Sequence, residues 1–459
     1  MSEIVKTDKG DFSQGSIPKA IMRLAVPMTM AQLIKITYSL VDRVYLGRLP
    51  GAEHLALTGV GLTLPIISIV MSVASLCGTG GGPLFAIARG KGDDKEAERV
   101  MGNAFAILLI LGLVLTVIII AFRKPLLYLF GASDVTYPFA GDYLAYYSLG
   151  SIFVMISLGL NPFISAQGFG RTGMMTIALG AVINIVLDPI FIFTLDMGVR
   201  GAALATVISQ FISALWVMRF LTGKKVAVSL TLSSMKLKAN RVRRIMTLGF
   251  AGFLMNLTTS LSQIVSNIML QRVGGDLYVG AMAILGSLRE VSFMPSSGIY
   301  SGLIPVIGYN YGAGLYDRVR HAIRFSVYAT VGYAAVAWVI FMFIPSPLIR
   351  IFSNEPALIE VAIPALRIYF SMFAFMSLQM ATQGVFIGLG KTKYAIIFTL
   401  LRKAIIAAPL TILFPLIGMG TNGVFYAEAV SQFVGGLACV STMYVVVYRK
   451  LSRADRILV

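Results

Sequence analysis

The sequence predicts an all-α protein that crosses a membrane many times, and three observations carry that prediction. Of its 459 residues, 57% are hydrophobic and 13% charged, whereas soluble globular chains carry about 25% charged residues. The apolar residues gather into long runs separated by short polar loops, and the runs form two halves that echo one another. Open sheet edges would leave backbone N–H and C=O groups unpaired in lipid, so each run reads as a helix.

Ten runs carry no charge: 55–88, 100–122, 143–170, 172–187, 201–218, 245–271, 325–349, 368–390, 404–427 and 429–448. Two further spans include charges: 17–47, and 277–311 with Arg289-Glu290 in its middle. A span needs about 20 residues, so twelve transmembrane helices are expected. Pro27 and Pro189 are expected to kink their helices, because each removes a backbone donor and crowds the preceding turn. Residues 1–12 are polar and have no apolar core of a signal peptide, so insertion is expected to use the first helix.

Orientation follows from Lys and Arg, which collect in cytoplasmic loops. With the N-terminus inside, 26 of the 38 basic residues fall in inside segments and 6 in outside loops. Both termini are therefore expected in the cytoplasm. The formal net charge of +18 would suggest nucleic acid in a soluble protein. Here membrane topology explains it, and no nucleic-acid partner is expected.

The second half repeats the first at an offset of 220–222 residues. Gly90-Lys91-Gly92 matches Gly312-Ala313-Gly314, Gly168-Phe169-Gly170 matches Gly388-Leu389-Gly390, and Met197-Gly198 matches Met419-Gly420. Each copy holds six helices, an even number, so the copies share one orientation, as in parallel-repeat transporters. The expected organisation is an N-terminal tail (1–16), a first lobe (17–221), a basic linker (222–241), a second lobe (242–450) and a tail (451–459). Cys77 and Cys439 fall in apolar runs and read as free buried thiols. His54 and His321 fall in predicted loops, so no metal cluster or nucleophile–base pair suggests an enzyme.

The chemistry lies in the acids. Asp188, in Asn184-Ile185-Val186-Leu187-Asp188-Pro189, ends an apolar run, and a carboxylate at membrane depth costs roughly 2.5–3.5 kcal/mol on insertion scales. Asn184 stands one turn before it on the same face. Pro189 can free a nearby carbonyl. Carboxylate, amide oxygen and carbonyl are hard donors that suit a proton or Na⁺. Asp42 repeats the anomaly in the first span, with Tyr38 one turn and Lys35 two turns back, while Arg43 points about 100° away. The repeat loses the acid: Asp188-Pro189 corresponds to Ala408-Pro409, Asp42 to Ser266, and Thr206 to Glu428. Loss in one copy points to a specialised site in the first half. Arg289, Glu290, Arg402, Lys403 and Glu428 are the second half's own buried charges, read either as mutual salt bridges or as a second ion or substrate site.

On these residues the chain resembles the multidrug and toxic compound extrusion (MATE) family, within a superfamily that also contains lipid-linked glycan flippases. The resemblance covers roughly residues 17–450. It rests on the two six-helix repeats, the Pro27 and Asp42 helix, Gly90-Lys91-Gly92, Gln167-Gly168-Phe169-Gly170 and Asn184…Asp188-Pro189. It is greatest to the prokaryotic branch whose cation site lies in the N-terminal lobe. What the resemblance implies is a V-shaped pair of lobes in the cell (inner) membrane. It also implies a cation-coupled antiporter, using H⁺ or Na⁺, that exports amphipathic, often cationic, drugs or toxic organic compounds by alternating access. It further implies no cofactor beyond the coupling ion, contact with membrane lipids, and a monomer. Carried over by motif, Asp42, Asn184, Asp188 and Thr206 form the coupling site, with Na⁺ possible there. Tyr38 and Asn161 match polar positions near it; Lys35 departs from that branch's pattern, and Lys35 and Glu290 are expected, as charges within spans, to touch substrate or support the site. The alternative is a lipid-linked glycan flippase, in which Lys35, Arg289, Arg402 and Lys403 would grip a pyrophosphate.

Overall fold

The computed structural model describes residues 10–49 and 53–454, and among them every regular element is helical. The first half supplies α1 (Ile17–Leu46), α2 (Glu53–Gly90), α3 (Asp94–Leu129), α4 (Tyr137–Ala166), α5 (Gly170–Pro189) and α6 (Gly198–Leu221). The second supplies α7 (Ala239–Gly312), α8 (Tyr316–Phe343), α9 (Pro345–Arg350), α10 (Pro356–Phe370), α11 (Phe373–Gly388), α12 (Thr392–Leu400), α13 (Ala408–Phe414), α14 (Gly420–Met443) and α15 (Arg449–Ala454).

Nine helical segments are long and apolar enough to cross a bilayer, and the pair α10 and α11, bent by 44°, makes a tenth. Two of these segments are double. Gly275 leaves helical geometry inside α7 (φ 70°), and Gly418 and Gly420 (φ 96° and 56°) divide the segment from Thr392 to Leu451. Counted this way, the described residues hold twelve spans, six in each half. The last break differs from the sequence expectation, which split that region at Glu428. It lies instead at glycines, because Glu428 is paired inside α14 and does not have to reach water. His54 and His321 also lie on helices, α2 and α8, rather than in loops.

The backbone repeats more regularly than the motifs. The starts of α3 and α8, the ends of α4 and α11, and the starts of α6 and α14 are each 222 residues apart (94 to 316, 166 to 388, 198 to 420). The left-handed glycines keep the same offset: Gly92 with Gly314, Gly168 with Gly390, and Gly198 with Gly420. The turn partner of Gly168 is therefore Gly390, two residues beyond the Gly388 that motif matching selects, because only Gly390 sits where the chain needs a positive φ.

Chain contacts divide the protein into two compact units. One comprises Met30–Gly249 with a short stretch that ends at Asp11; the other comprises Phe12–Thr29 and the chain from Phe250 onward. Helices α1 and α7 thus each begin in one unit and end in the other. Within the first unit, α4 packs against α2, α3 and α6 around an apolar core that includes Phe85, Met101, Leu160 and Phe163. The run Gly78-Thr79-Gly80-Gly81-Gly82 serves this packing: a Cβ on Gly78 would lie 2.9 Å from Pro162, and one on Gly80 would overlap the Ile245 carbonyl at the start of α7. That is the close approach expected of small residues between membrane helices. The second unit repeats the device, since a Cβ on Gly302 would lie 2.6 Å from the Ile21 carbonyl at the start of α1.

Polar clasps hold the segments that lead into these two helices. In the first unit, Asn103 Nδ2 donates to the carbonyls of Ser234 and Lys236 at 3.0 Å each. Arg241 grips Glu96 through Nε (3.0 Å) and Nη2 (2.6 Å). In the second, Arg318 donates to the carbonyls of Phe12, Gln14 and Gly15 at 2.8, 3.0 and 3.1 Å.

If close backbone contact sets helix placement, Gly80→Val and Gly302→Val will each destabilise the protein by about 1–3 kcal/mol through overpacking. Gly61→Ala and Gly332→Ala, which have open space around them, will leave the melting temperature of detergent-purified protein unchanged. Equal melting temperatures for all four variants would show that these contacts do not constrain the packing.

Candidate functional site

The first unit brings Asp42, Asn184, Asp188 and Thr206 together from three helices. Asp42 sits near the end of α1. Asn184 and Asp188 share a face of α5, which stops at Pro189 and gives way to a π-helical turn, Ile190–Thr194. Pro189 cannot donate a backbone hydrogen bond, so the regular ladder loosens beside Asp188. Gly198, in left-handed geometry, opens α6, and Thr206 follows on it about two turns later.

Asn184 Nδ2 donates to Asp188 Oδ1 at 3.1 Å and to Thr206 Oγ1 at 3.4 Å. Thr206 Oγ1 in turn donates to the Ala202 carbonyl at 3.0 Å. The amide of Asn184 thus turns its N–H groups to the site. A carboxylate only accepts hydrogen bonds, so it is best served by this orientation. The sequence expectation of an amide oxygen aimed at the ion differs from this arrangement.

Asp188 is fully buried and Asn184 nearly so. The carboxyl groups of Asp42 and Asp188 lie within hydrogen-bond reach of each other. Two carboxyl groups so placed make a bond only if one carries a proton, or are bridged by a cation. Asp42 Oδ1 and Asp188 Oδ2 are buried and lack a protein partner. The fit to H⁺ or Na⁺ therefore rests on two unused acid oxygens beside the Thr206 hydroxyl, all hard donors. Among the described residues there is no group of three or more His, Cys, Asp and Glu that could hold a metal ion.

Helix α4 adds what the sequence did not single out. Tyr143 reaches Thr206 and lies near enough to Asp42 and Asp188 to feel their charge. It stacks on Tyr147, with ring centroids 6.1 Å apart and planes 13° from parallel. Both tyrosines are buried. Their four-residue spacing inside an apolar run was the only signal available, and it looks the same as ordinary aromatic core. Tyr38 faces both Asp42 and Tyr147, joining the same cluster. Asn161 Nδ2 donates to the Gly173 carbonyl at 3.0 Å, tying α4 to the first turn of α5, while its Oδ1 is buried without a protein partner. Lys35 is half-buried on α1, two turns before Asp42, and Glu290 is exposed on α7. Of the four cations proposed for a pyrophosphate, Arg289, Arg402 and Lys403 gather around Glu428 in the second unit, whereas Lys35 belongs to the first.

Asp42→Asn would replace one of two facing acids with an amide that can donate to Asp188. In Na⁺-free buffer this variant is expected to melt higher than the wild type by the equivalent of about 1–3 kcal/mol, the cost of an unsatisfied buried polar group. A lower melting temperature would mean that the two carboxyl groups do not oppose one another.

Comparison with known proteins follows the same outline. A family model described as MatE matches residues 27–190 and 252–413. The multidrug export protein MepA of Staphylococcus saprophyticus is 26% identical over 434 residues, which cover 94% of this chain and 95% of that protein. MepA of Staphylococcus aureus is likewise 26% identical over the same shares. A crystal structure of a MATE protein in the bent conformation superposes with a TM-score of 0.91 at 23% identity, covering 98% of this chain and 99% of that one. A transporter of the MOP superfamily from Pyrococcus furiosus gives 0.89 at 23% identity, with the same coverage. At that level of identity the solved structures bear on the fold.

Proposed function

The chain belongs to the MatE family of transporters, and from that premise we propose that it is a cation-coupled antiporter exporting amphipathic, often cationic, organic compounds. The single observation that supports this reading is the Asp42–Asp188 pair, drawn from α1 and α5 into one apolar site with an unused oxygen on each acid.

In the proposed mechanism, H⁺ or Na⁺ enters from outside and binds between the two carboxyl groups. Without it, the acids repel and the arrangement of α1 against α5 is disfavoured; with it, the arrangement is held. Asn184 and Thr206 keep Asp188 pointed at the ion, and Pro189 with the π-turn after it supplies the pliant end of α5. The ion-bound state has the lower affinity for substrate. Linkage makes this reciprocal: substrate and ion lower each other's affinity by the same factor. Multidrug export, the printed role of the Staphylococcus relatives, fits a substrate class of small amphipathic organic molecules. The proposal places a first lobe at residues 17–221 and a second at 242–450, joined by the basic linker 222–241. It sets the tails 1–16 and 451–459 in the cytoplasm, in the cell's inner membrane, with the monomer as the working unit.

Transport in proteoliposomes under imposed ΔpH or ΔNa⁺ tests the reading. The wild type is expected to move a fluorescent organic cation against its gradient only under one of these gradients. Asp42→Asn and Asp188→Asn should each lose about tenfold or more of that rate, since each removes one of the two acids that hold the ion. Wild-type rates in both variants would refute the assignment.

A further inference from the structure

The second unit holds a buried charge cluster that cation coupling does not use. Lys403 comes from a π-helical turn, Leu401–Ala407, and its Nζ donates to both oxygens of Glu428 on α14, at 2.8 and 3.0 Å. The two side chains are only 4% and 10% exposed. Arg402, the neighbouring residue, and Arg289 on α7 act on the same carboxylate, and buried Tyr369 lies against Arg289. One turn after Glu428, Gln432 Nε2 also reaches it, at 3.5 Å. Lys403 therefore pairs directly with this buried carboxylate, and two arginines act on it from further away. Glu290 acts on Arg289 as well, but it is exposed.

Arg402 is held in this place by design of the backbone. A Cβ on Gly435 would come within 3.0 Å of Arg402 Cγ, so the missing side chain forms the slot for the arginine stem. Yet Arg402 Nη1 is buried with no acceptor. A buried guanidinium N–H without a partner is costly, and so is surplus charge at membrane depth. Both costs end when a negative oxygen arrives. Arginine's planar fork suits carboxylate and phosphate, to which it can make two parallel hydrogen bonds. Gln432 Oε1, also without a partner, can accept from a hydroxyl or ammonium group beside that anion.

We propose that this cluster binds an oxyanion group, carboxylate or phosphate, which takes the unused fork of Arg402 and competes with Glu428 for the positive charge gathered there. The oxyanion has two sources, a transported compound or a lipid headgroup, and only the first of these rests on the transporter reading. Glu428 is then an internal stand-in for the ligand's charge.

Binding to purified full-length protein in detergent, without any gradient, separates this claim from the coupling mechanism. The probes are rhodamine B, which bears a carboxylate, and its ethyl ester, which does not, followed by fluorescence anisotropy. The wild type is expected to prefer rhodamine B. Arg402→Gln should weaken rhodamine B by about tenfold, the range for hydrogen bonds to charged groups, and leave the ester unchanged. Glu428→Gln should tighten rhodamine B alone, because it removes the competitor. A merely structural ion pair gives no such gain. Arg402→Lys, which keeps the charge in a compact form, should reduce the preference less and serves if the glutamine variant does not fold. Phosphatidylglycerol added to the micelles identifies the source: displacement of rhodamine B marks a headgroup phosphate as the occupant, and retention marks a soluble compound. Equal affinity of the wild type for the two dyes, or a Glu428→Gln variant that binds both more weakly, would overturn the proposal. Failure of the Asp42 and Asp188 transport variants to lose activity would refute coupling and leave this ratio untouched.

Discussion

The apposition of two carboxyl groups inside an apolar helix cluster is the constraint on which the first unit depends. Asp42 and Asp188 are each expensive at membrane depth, and neither finds a basic residue in direct hydrogen bond. What answers them is each other, Asn184, the tyrosines of α4 and, for Asp42, the charge of the neighbouring Arg43. The local architecture follows from that need. Pro189 and the π-turn after it end α5 at the acid. Gly198 turns the chain sharply into α6, and Thr206 then meets Asn184 from the facing helix.

The two halves keep one backbone and divide the chemistry. Helix ends and left-handed glycines recur 222 residues apart, and close glycine contacts against the starts of α7 and α1 recur with them. At the same offset, Thr206 of α6 becomes Glu428 of α14. The first unit sets two acids side by side, with Arg43 acting on Asp42, and the second gathers basic groups near one acid. A duplicated scaffold tolerates such divergence because its packing is carried by Gly, Ala and apolar side chains, leaving the few polar positions free to change.

Much of this was legible in the sequence. Apolar runs gave the helices, since lipid leaves the backbone no other open-chain solution, and the cost of a buried charge marked Asp42 and Asp188. Three features were hidden for physical reasons. Glu428 reads as the break between the last two spans, because an isolated charge reads as a helix end; the ion pair with Lys403, distant in sequence, lets it lie inside α14. Tyr143 carries no charge, so nothing but its contacts separates it from a core aromatic. Asn161 is expected near the site only through the family resemblance, and its amide is half used: Oδ1 is buried without a protein partner. The partner of its Nδ2 is a backbone carbonyl, which no side-chain pattern reveals.

The account's central claim is that ion and substrate oppose one another through the acid pair of the first unit. The most direct measurement is the equilibrium affinity of the purified protein for an organic cation, titrated separately against pH and Na⁺. The account predicts that substrate affinity falls as one of these ions rises, and that Asp188→Asn makes the affinity independent of both. A wild-type affinity that responds to neither ion, or an unchanged response in Asp188→Asn, would contradict it.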